Sequence, residues 1–302
     1  MQNTTYLKLK IFLHLFLVYI SWGTTYIGFK LTLKVVGPFF ACGLRMTFAG
    51  ALLALLLLCL GKWQPVRLKD LTHAAIYAIL LVVLGSGMLS FGQQYLPSGV
   101  AAIITGSTPI TMLWAGYFFA GQAKPTRLQT LGLACGALGL LLLMQEQYVA
   151  SPLGLASLWG VLSVLTATFG WVAGSLLIKR YPREETLPPL EDCALLLFLG
   201  GLESLMLGLL CGEQHAILWD NLNGGILLAF SWMVIGGSII AYSSYFWLLE
   251  HVAIAVAVSY EYVVPVIGLF SGWLVCDEII TPQMIFACCL SIGAVFLVIR
   301  HK

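Results

Sequence analysis

The sequence predicts an all-α membrane protein whose ten transmembrane helices form two inverted five-helix repeats, with both termini cytoplasmic. Of its 302 residues, 60% are hydrophobic and only 9% are charged, whereas soluble domains usually carry about 25% charged residues. The apolar runs are about 20 residues long, which is the length that a helix needs to cross the hydrocarbon core. Composition and run length therefore exclude a soluble globular class.

Ten apolar spans are predicted, and short connections join them. Only the connection 179–192, which contains three prolines, has the composition of a linker. The predicted spans are Ile11–Phe29, Phe39–Leu60, Leu71–Phe91, Gly99–Phe119, Leu128–Met144, Leu155–Ile178, Cys193–Cys211, Gly225–Leu248, Ala253–Val275 and Met284–Ile299.

The distribution of Lys and Arg predicts the orientation of these spans. Cytoplasmic connections carry an excess of positive charge. Of the 15 Lys and Arg residues, only Lys30 and Lys34 fall outside when the N-terminus is placed inside, and Arg45 lies within the second span. The other twelve are Lys8, Lys10, Lys62, Arg67, Lys69, Lys124, Arg127, Lys179, Arg180, Arg183, Arg300 and Lys302. Both termini are therefore expected in the cytoplasm.

The two halves of the chain resemble each other weakly. Pro109 aligns with Pro265, Gly116 with Gly272, and Gly85-Ser86 with Gly237-Ser238. Two repeats are predicted, at residues 11–144 and 155–299. Because each half has an odd number of spans, the second half enters the membrane upside down, an architecture of secondary transporters.

Prolines near the middle of the fourth and ninth spans predict broken helices. Pro109 leaves the carbonyl of Thr105 without its helical donor, as Pro265 does for Glu261. Discontinuous helices of this kind build the binding sites of many transporters. A plain proline kink, satisfied by neighbouring helices, is the alternative.

Glu261 is an ionisable residue within an apolar span, where the default interpretation is a functional group. It could exchange protons or pair with a cationic substrate. The structural alternatives are a neutral carboxyl group bonded to a tyrosine and an ion pair with Arg45. Gly268 and Gly272 share its helix face, so Glu261 could also lie against a neighbouring helix.

Arg45 and Glu203 are the other charged residues predicted at membrane depth. Arg45 could bind an anionic substrate, extend its head group towards the interface, or pair with a carboxylate. Glu203 could neutralise it. A structural role is the first interpretation for both residues.

Small polar and aromatic side chains concentrate in the first, third, fourth, sixth and eighth spans, whereas the second, fifth, seventh and tenth are mostly Leu, Ala and Gly. The polar spans are therefore expected to face a cavity. The candidate substrate-binding residues are Trp22, Thr25, Gln93, Thr105, Thr108, Pro109, Phe169, Tyr242, Ser259, Tyr262 and Pro265.

Other functional classes find little support. The eight Cys lack metal-binding spacing, so we expect no metal, and they serve as small hydrophobes. No nucleotide-binding loop or catalytic motif occurs in the sequence, so neither an enzyme nor a cofactor is expected. The net charge of +2 indicates no nucleic-acid partner. The first span is interpreted as an uncleaved helix, since Trp22-Gly23-Thr24 is not a small-residue cleavage site.

With these features, the chain resembles the EamA-type ten-helix group of the drug/metabolite transporter superfamily. The matching motifs are Trp22-Gly23-Thr24-Thr25-Tyr26, Arg45 with Ala49-Gly50, Leu96-Pro97-Ser98-Gly99-Val100-Ala101-Ala102, Ser107-Thr108-Pro109-Ile110, and Val264-Pro265-Val266 through Asp277-Glu278. The resemblance implies alternating access, and a central cavity lined by helices one, three, four, six, eight and nine. Its implied substrates are amino acids, their derivatives or other small metabolites, often exported. Gln122 and Glu261 depart from the family pattern.

The leading hypothesis is therefore a secondary transporter in the cell (inner) membrane, acting as an exporter driven by a proton or substrate gradient. A facilitative, pore-like permease is the alternative, and a non-transport scaffold is the third. The expected partners are a small-molecule substrate, the lipid bilayer and protons. The glycine-rich fifth helix makes a homodimer a candidate assembly.

Overall fold

The computed structural model describes residues 2–96, 101, 104–150, 156–181, 187–264, 266–267, 270 and 281–300. These residues form an all-helical fold without strands, as predicted. Pro265, Gly268 and Gly272 lie outside the described residues. The helices are α1 Gln2–Thr32, α2 Pro38–Cys59, α3 Leu68–Gly92, α4 Thr108–Phe119, α5 Arg127–Ala150, α6 Ala156–Arg180, α7 Pro189–Leu210, α8 Gly224–His251, α9 Ile254–Val264 and α10 Pro282–Arg300.

Within the described residues, six helices are long and apolar enough to cross a membrane: α1, α2, α3, α6, α7 and α8. Large apolar side chains cover their outer faces; Phe48 and Leu55 of α2, for example, are each 57% exposed. In water such surfaces would be an aggregation hazard, whereas in a bilayer they face acyl chains. The membrane class predicted from composition is confirmed.

Prolines set the starts of several helices. Pro38 and Pro189 occupy the first turns of α2 and α7, where the missing N–H is not needed. Glu191 and Asp192 lie in the first turn of α7, where acidic groups suit the helix dipole. The seventh helix therefore begins at Pro189, before the predicted start at Cys193.

Two helices contain a π-helical segment that the sequence did not predict. These segments are Ile79–Gly87 in α3 and Ile235–Ile240 in α8. In the second, the Ser238 hydroxyl donates to the carbonyl of Met233, five residues earlier, at 3.1 Å. A π turn widens the helix and occurs often at functional sites. Here each one carries a Gly-Ser pair towards the centre of the molecule.

The most extensive helix contact joins α2 to α7, and the next joins α5 to α10. Glycines allow α2 and α7 to approach to backbone distance. A Cβ atom at Gly50 would lie 2.7 Å from the carbonyl oxygen of Ala194. One at Gly43 would lie 2.6 Å from the backbone nitrogen of Leu205. Only glycine permits this approach.

Glu213, in the connection after α7, ties the two helices together at one end. Its carboxylate accepts hydrogen bonds from the backbone N–H groups of Phe39 (3.3 Å) and Phe40 (2.7 Å). These donors belong to the first turn of α2, which has no capping side chain at Gly37. Burial raises the pKa of Glu213 above its ordinary value, and the two hydrogen bonds oppose that shift.

Candidate functional site

A cavity of about 100 Å³ lies inside the bundle and is lined from both halves of the chain. Its volume is of the same order as an engineered cavity of about 150 Å³ that binds benzene. The lining residues are Trp22, Thr25, Phe29, Arg45, Gly85, Ser86, Leu89, Gln93, Thr105, Thr108, Ala167, Thr168, Trp171, Tyr242, Tyr260, Glu261 and Val264.

Seven helices or their flanking turns supply these residues: α1, α2, α3, α4, α6, α8 and α9. Among the described residues, α5, α7 and α10 supply none. This division follows the composition of the spans, since those three helices are among the ones poor in polar side chains. Arg45 is the exception, as it comes from the otherwise apolar α2.

An aromatic cluster forms one wall of the cavity, with Trp22 at its centre. The ring centroid of Trp22 lies 4.5 Å from Tyr260, 5.3 Å from Trp171 and 5.8 Å from Tyr242. Edge-to-face pairs at such distances are favourable beyond the area that they bury. The Trp22 indole N–H donates to the carbonyl of Gly237 at 3.0 Å. This bond attaches α1 to the π-helical segment of α8.

A side-chain hydrogen bond joins the two halves across the cavity wall. The Tyr242 hydroxyl lies 2.8 Å from the Ser86 hydroxyl, and both groups are buried. Tyr245, one turn further along α8, bonds to Ser175 at 2.9 Å and lies behind the wall. Both of these tyrosine hydroxyls are therefore satisfied within the protein.

Arg45 is buried in the cavity lining, with 3% of its surface exposed. Its guanidinium carbon lies 4.7 Å from the centroid of the Phe29 ring. Within the described residues, no carboxylate forms an ion pair with it, so the predicted pairings with Glu261 and Glu203 are not seen. The Arg45 Nε atom has no hydrogen-bond partner. A buried donor left unsatisfied costs roughly 1–3 kcal/mol, and more when it is charged.

Two further buried donor atoms of the lining lack partners. These are Gln93 Nε2 and the indole nitrogen of Trp171. Gln93 follows the last turn of α3, and Trp171 lies on α6. With Arg45, three lining residues thus each carry a buried donor atom without a hydrogen-bond partner.

Glu261 also lines the cavity and is 9% exposed. Its carboxyl group interacts with the neighbouring Tyr260 side chain. The helix is irregular here, because the backbone N–H of Glu261 bonds to Val258 three residues back, after a turn at Val258–Ser259. Among the residues described, Glu261 makes no ion pair. The arrangement leaves an acidic group facing the same cavity as Arg45.

The fourth span is broken between Thr105 and Pro109, within the stretch where Pro109 predicted a break. A turn at Ser107 interrupts the chain, and α4 begins at Thr108 with Pro109 in its first turn. Proline is favoured there because its missing N–H has no role. Pro109 therefore starts a helix and does not kink one at its middle. Thr105 and Thr108, on either side of the turn, both reach the cavity.

Eight predicted residues meet in the cavity, and they come from six helices or their flanking turns. They are Trp22, Thr25, Arg45, Gln93, Thr105, Thr108, Tyr242 and Glu261.

Other predicted residues lie elsewhere. Phe169 is 67% exposed on the outer face of α6. Pro109 is buried outside the lining. Ser259 is bonded to Tyr19 at 2.7 Å, and the Tyr262 ring packs where a Cβ on Gly136 of α5 would lie. Glu203, on α7, has an unpartnered buried oxygen away from the cavity. Pro265 lies outside the described residues.

Several lining residues were not among the predicted set, chiefly Trp171, Thr168, Ser86 and Tyr260. Helical spacing could have found some of them. Thr168 and Trp171 are separated by three residues and share a face, whereas Phe169 points to another side. The prediction chose Phe169, which lies on the wrong side of α6.

The fold and the site define a class: an all-helical membrane protein with a polar and aromatic cavity that is lined from both halves of the chain. A model of the EamA-like transporter family matches residues 9–145 and again 158–300. The chain belongs to this family, within the drug/metabolite transporter superfamily. It is a multi-pass membrane transporter of the EamA kind.

Relatives agree with this assignment. The chain is 31% identical to "Uncharacterized inner membrane transporter YedA" of Escherichia coli (strain K12), over 87% of this chain and 82% of that one. It is 24% identical to "Uncharacterized transporter YoaV" of Bacillus subtilis (strain 168), over 95% and 96%.

A third relative, named "S-adenosylmethionine/S-adenosylhomocysteine transporter" in Chlamydia trachomatis serovar L2 (strain ATCC VR-902B / DSM 19102 / 434/Bu), is 28% identical over 90% of this chain and 85% of that one. A solved structure described as "Crystal structure of protein" has the same fold, with a TM-score of 0.77 and 17% identity over 98% of each chain.

Proposed function

We propose that this protein is a secondary transporter that moves small metabolites, namely amino acids, their derivatives or related compounds, by alternating access. It acts as an exporter and not as an enzyme. Ten transmembrane helices form two inverted repeats, at 11–144 and 155–299, with both termini cytoplasmic.

The pairing of helices supports the repeat. Helices α2 and α7 pack together, as do α5 and α10, and each pair combines elements five apart in the chain. The π-helical segments of α3 and α8 are also five apart. The family model matches each half separately. Five-helix repeats are the simplest account of these correspondences.

The burial of the cavity lining is the observation that carries the mechanism. Arg45, Thr108 and Tyr242 line the cavity but are almost fully buried. An open pore would expose its lining along a continuous path. A buried cavity lined from both halves fits a carrier that exposes its site to one side at a time.

Counterflow in proteoliposomes tests the proposal. Vesicles containing purified protein are loaded with an unlabelled compound, and trace labelled compound is added outside. The panel holds the L-amino acids and S-adenosylmethionine, which is included because of the name of the Chlamydia trachomatis relative. A carrier gives a transient accumulation of label above equilibrium. Simple equilibration would indicate the pore-like permease, and no flux with any compound would contradict transport.

Two substitutions on α6 provide a matched control. Ala167 lines the cavity, whereas Leu165 is exposed on the outer face. We expect Ala167→Leu to reduce counterflow at least about ten-fold by filling the site, and Leu165→Met to leave it unchanged. Equal flux in both variants would show that the substrate does not pass through this cavity.

Coupling to protons is proposed for Glu261, which faces the cavity without an ionic partner among the described residues. Glu261→Gln removes the titratable group while keeping its shape. We expect the pH dependence of net flux to disappear while exchange persists. An unchanged pH profile would leave Glu261 with a structural role.

Export is the direction that the family resemblance favours. Efflux from cells preloaded with the substrate, compared with cells lacking the protein, tests it. Faster uptake without faster efflux would reverse the assignment.

A further inference from the structure

We infer that the Arg45 region of the cavity is a subsite for a carboxylate group of the transported molecule, with Gln93 and Trp171 as additional donors. This inference rests on the proposed transport function, and it assigns a chemical class to the substrate.

Arg45 lacks the features of a structural arginine. An arginine that extends its head group towards the interface would be exposed. Arg45 has only 3% of its surface exposed. An arginine that holds helices together would pair with a carboxylate, and the described residues provide no such pair. Its Nε–H is directed to no acceptor in the protein. A carboxylate oxygen of a bound molecule would supply the missing acceptor.

Gln93 and Trp171 repeat this pattern from two other helices. The Gln93 Nε2 and Trp171 Nε1 atoms are buried and unpartnered, and both residues line the same cavity. Neither atom has an acceptor within hydrogen-bond distance among the described residues. The site therefore offers donors from three elements in one small volume.

The shape and charge of the site favour a carboxylate over other anions. A guanidinium presents its N–H groups in a planar fork that matches the two oxygens of a carboxylate. The Phe29 ring lies against the guanidinium group and restricts its orientation. With Glu261 protonated, the positive charge of Arg45 neutralises one carboxylate, whereas a phosphate dianion would leave a net negative charge among Phe29, Leu89 and the aromatic wall.

Matched acids and amides test the subsite on the unmodified protein. The probes are L-methionine and L-methioninamide, L-phenylalanine and L-phenylalaninamide, and 3-phenylpropionate and 3-phenylpropionamide. Binding is measured as the shift in melting temperature of purified protein with ligand concentration. We expect at least one acid to bind at least ten-fold more tightly than its amide. Equal binding of acid and amide in every pair, or preference for the amide, would overturn the inference.

Substitutions assign the preference to Arg45. Arg45→Gln is expected to reduce the preference for the acid over the amide at least ten-fold, and Gln93→Ala is expected to reduce it several-fold. Arg45→Lys keeps the charge without the planar fork and should retain part of this preference. The control, Lys62→Gln, removes an exposed cation from the connection after α2 and should leave the preference for the acid unchanged. Full preference in a folded Arg45→Gln variant would contradict the assignment. If that variant does not fold, the acid–amide comparison on the wild type decides.

Counterflow with the same six compounds separates this inference from the proposed function. Transport of amides as fast as acids would leave the transporter standing and remove the carboxylate subsite. Failure of all six compounds together with the wider panel, in binding and in flux, would remove both. Acid-selective binding together with acid-selective counterflow supports both.

Discussion

Two buried regions on opposite sides of α2 follow different rules. Towards α7, Gly43 and Gly50 bring backbones into contact, and Glu213 satisfies the donors at the helix start. Towards the cavity, Arg45 has an unsatisfied Nε and no carboxylate within the described part of the chain. One face of the helix packs backbone to backbone against α7, while the other lines the cavity.

This difference indicates where stability and function are located. Close packing between membrane helices gains van der Waals contact. A buried donor without a partner lowers stability, and an acceptor on a bound molecule would complete it. Changes at the α2–α7 contact should therefore affect folding, and changes in the cavity should affect transport.

The largest expected effect comes from Gly50→Ala. The new Cβ would meet the backbone of α7, including the carbonyl oxygen of Ala194 at 2.7 Å, so the helices must separate. We expect a loss of about 3 kcal/mol, measured as a lower melting temperature in detergent.

Gly224→Ala is the matched control for this prediction. It places the same methyl group in the first turn of α8, where nothing lies within 4 Å. A Gly50→Ala variant as stable as Gly224→Ala would show that α2 and α7 are not in close contact.

Arg45→Met should separate stability from function. Removing an uncompensated buried cation is expected to stabilise the protein by about 1–3 kcal/mol while abolishing counterflow. Lys62→Met, at an exposed site, should change stability by less than about 0.5 kcal/mol. Destabilisation of the folded Arg45→Met variant would mean that Arg45 supports the fold.

Two tyrosines of α8 allow the loss of one hydroxyl group to be compared inside and outside the cavity lining. Tyr242→Phe deletes the hydrogen bond to Ser86 of α3, and Tyr245→Phe deletes the one to Ser175 of α6. Each substitution should lower the free energy of unfolding by about 1 kcal/mol. Only Tyr242 lines the cavity. We expect counterflow to fall several-fold in Tyr242→Phe and to stay unchanged in Tyr245→Phe; the opposite order would place the substrate behind the aromatic wall.

Glu213→Gln should have the smallest effect, and that effect depends on pH. Because burial raises the pKa of Glu213 in the folded state, the folded protein binds this proton more tightly than the unfolded chain does. Stability contributed by the group is present at low pH and is lost as pH rises through the folded pKa.

The wild type should therefore lose stability relative to Glu213→Gln as pH rises above the ordinary glutamate value of about 4.3. Since Glu213 is only partly buried, the change should stay below about 1 kcal/mol. Melting temperatures of both proteins across this range provide the measurement. A gain in relative stability with rising pH would show that the hydrogen bonds to Phe39 and Phe40 outweigh burial.

Much of the fold could be predicted from the sequence, because apolar run length and composition are local properties. The proline at the start of α2 fixes a helix end through its own missing N–H, whereas the start of α7 at Pro189 was missed. The π-helical segments could not be predicted, since a widened turn depends on which helix packs beside it.

The candidate site was predicted in part. Trp22, Thr25, Gln93 and Tyr242 were found because polar and aromatic residues stand out in apolar spans. Phe169 was chosen where Trp171 reaches the cavity, because side-chain direction along α6 depends on the rotation of that helix against α3.

The sequence by itself determined the membrane class, the family and which helices carry polar side chains, since these follow from composition, run length and motif order. Only the tertiary structure decided that Arg45 has no carboxylate partner among the described residues, and that its free donor shares a cavity with Gln93 and Trp171. The physical reason is that a partner for a buried charge can come from any helix that reaches it. Neither spacing nor composition records which helix does.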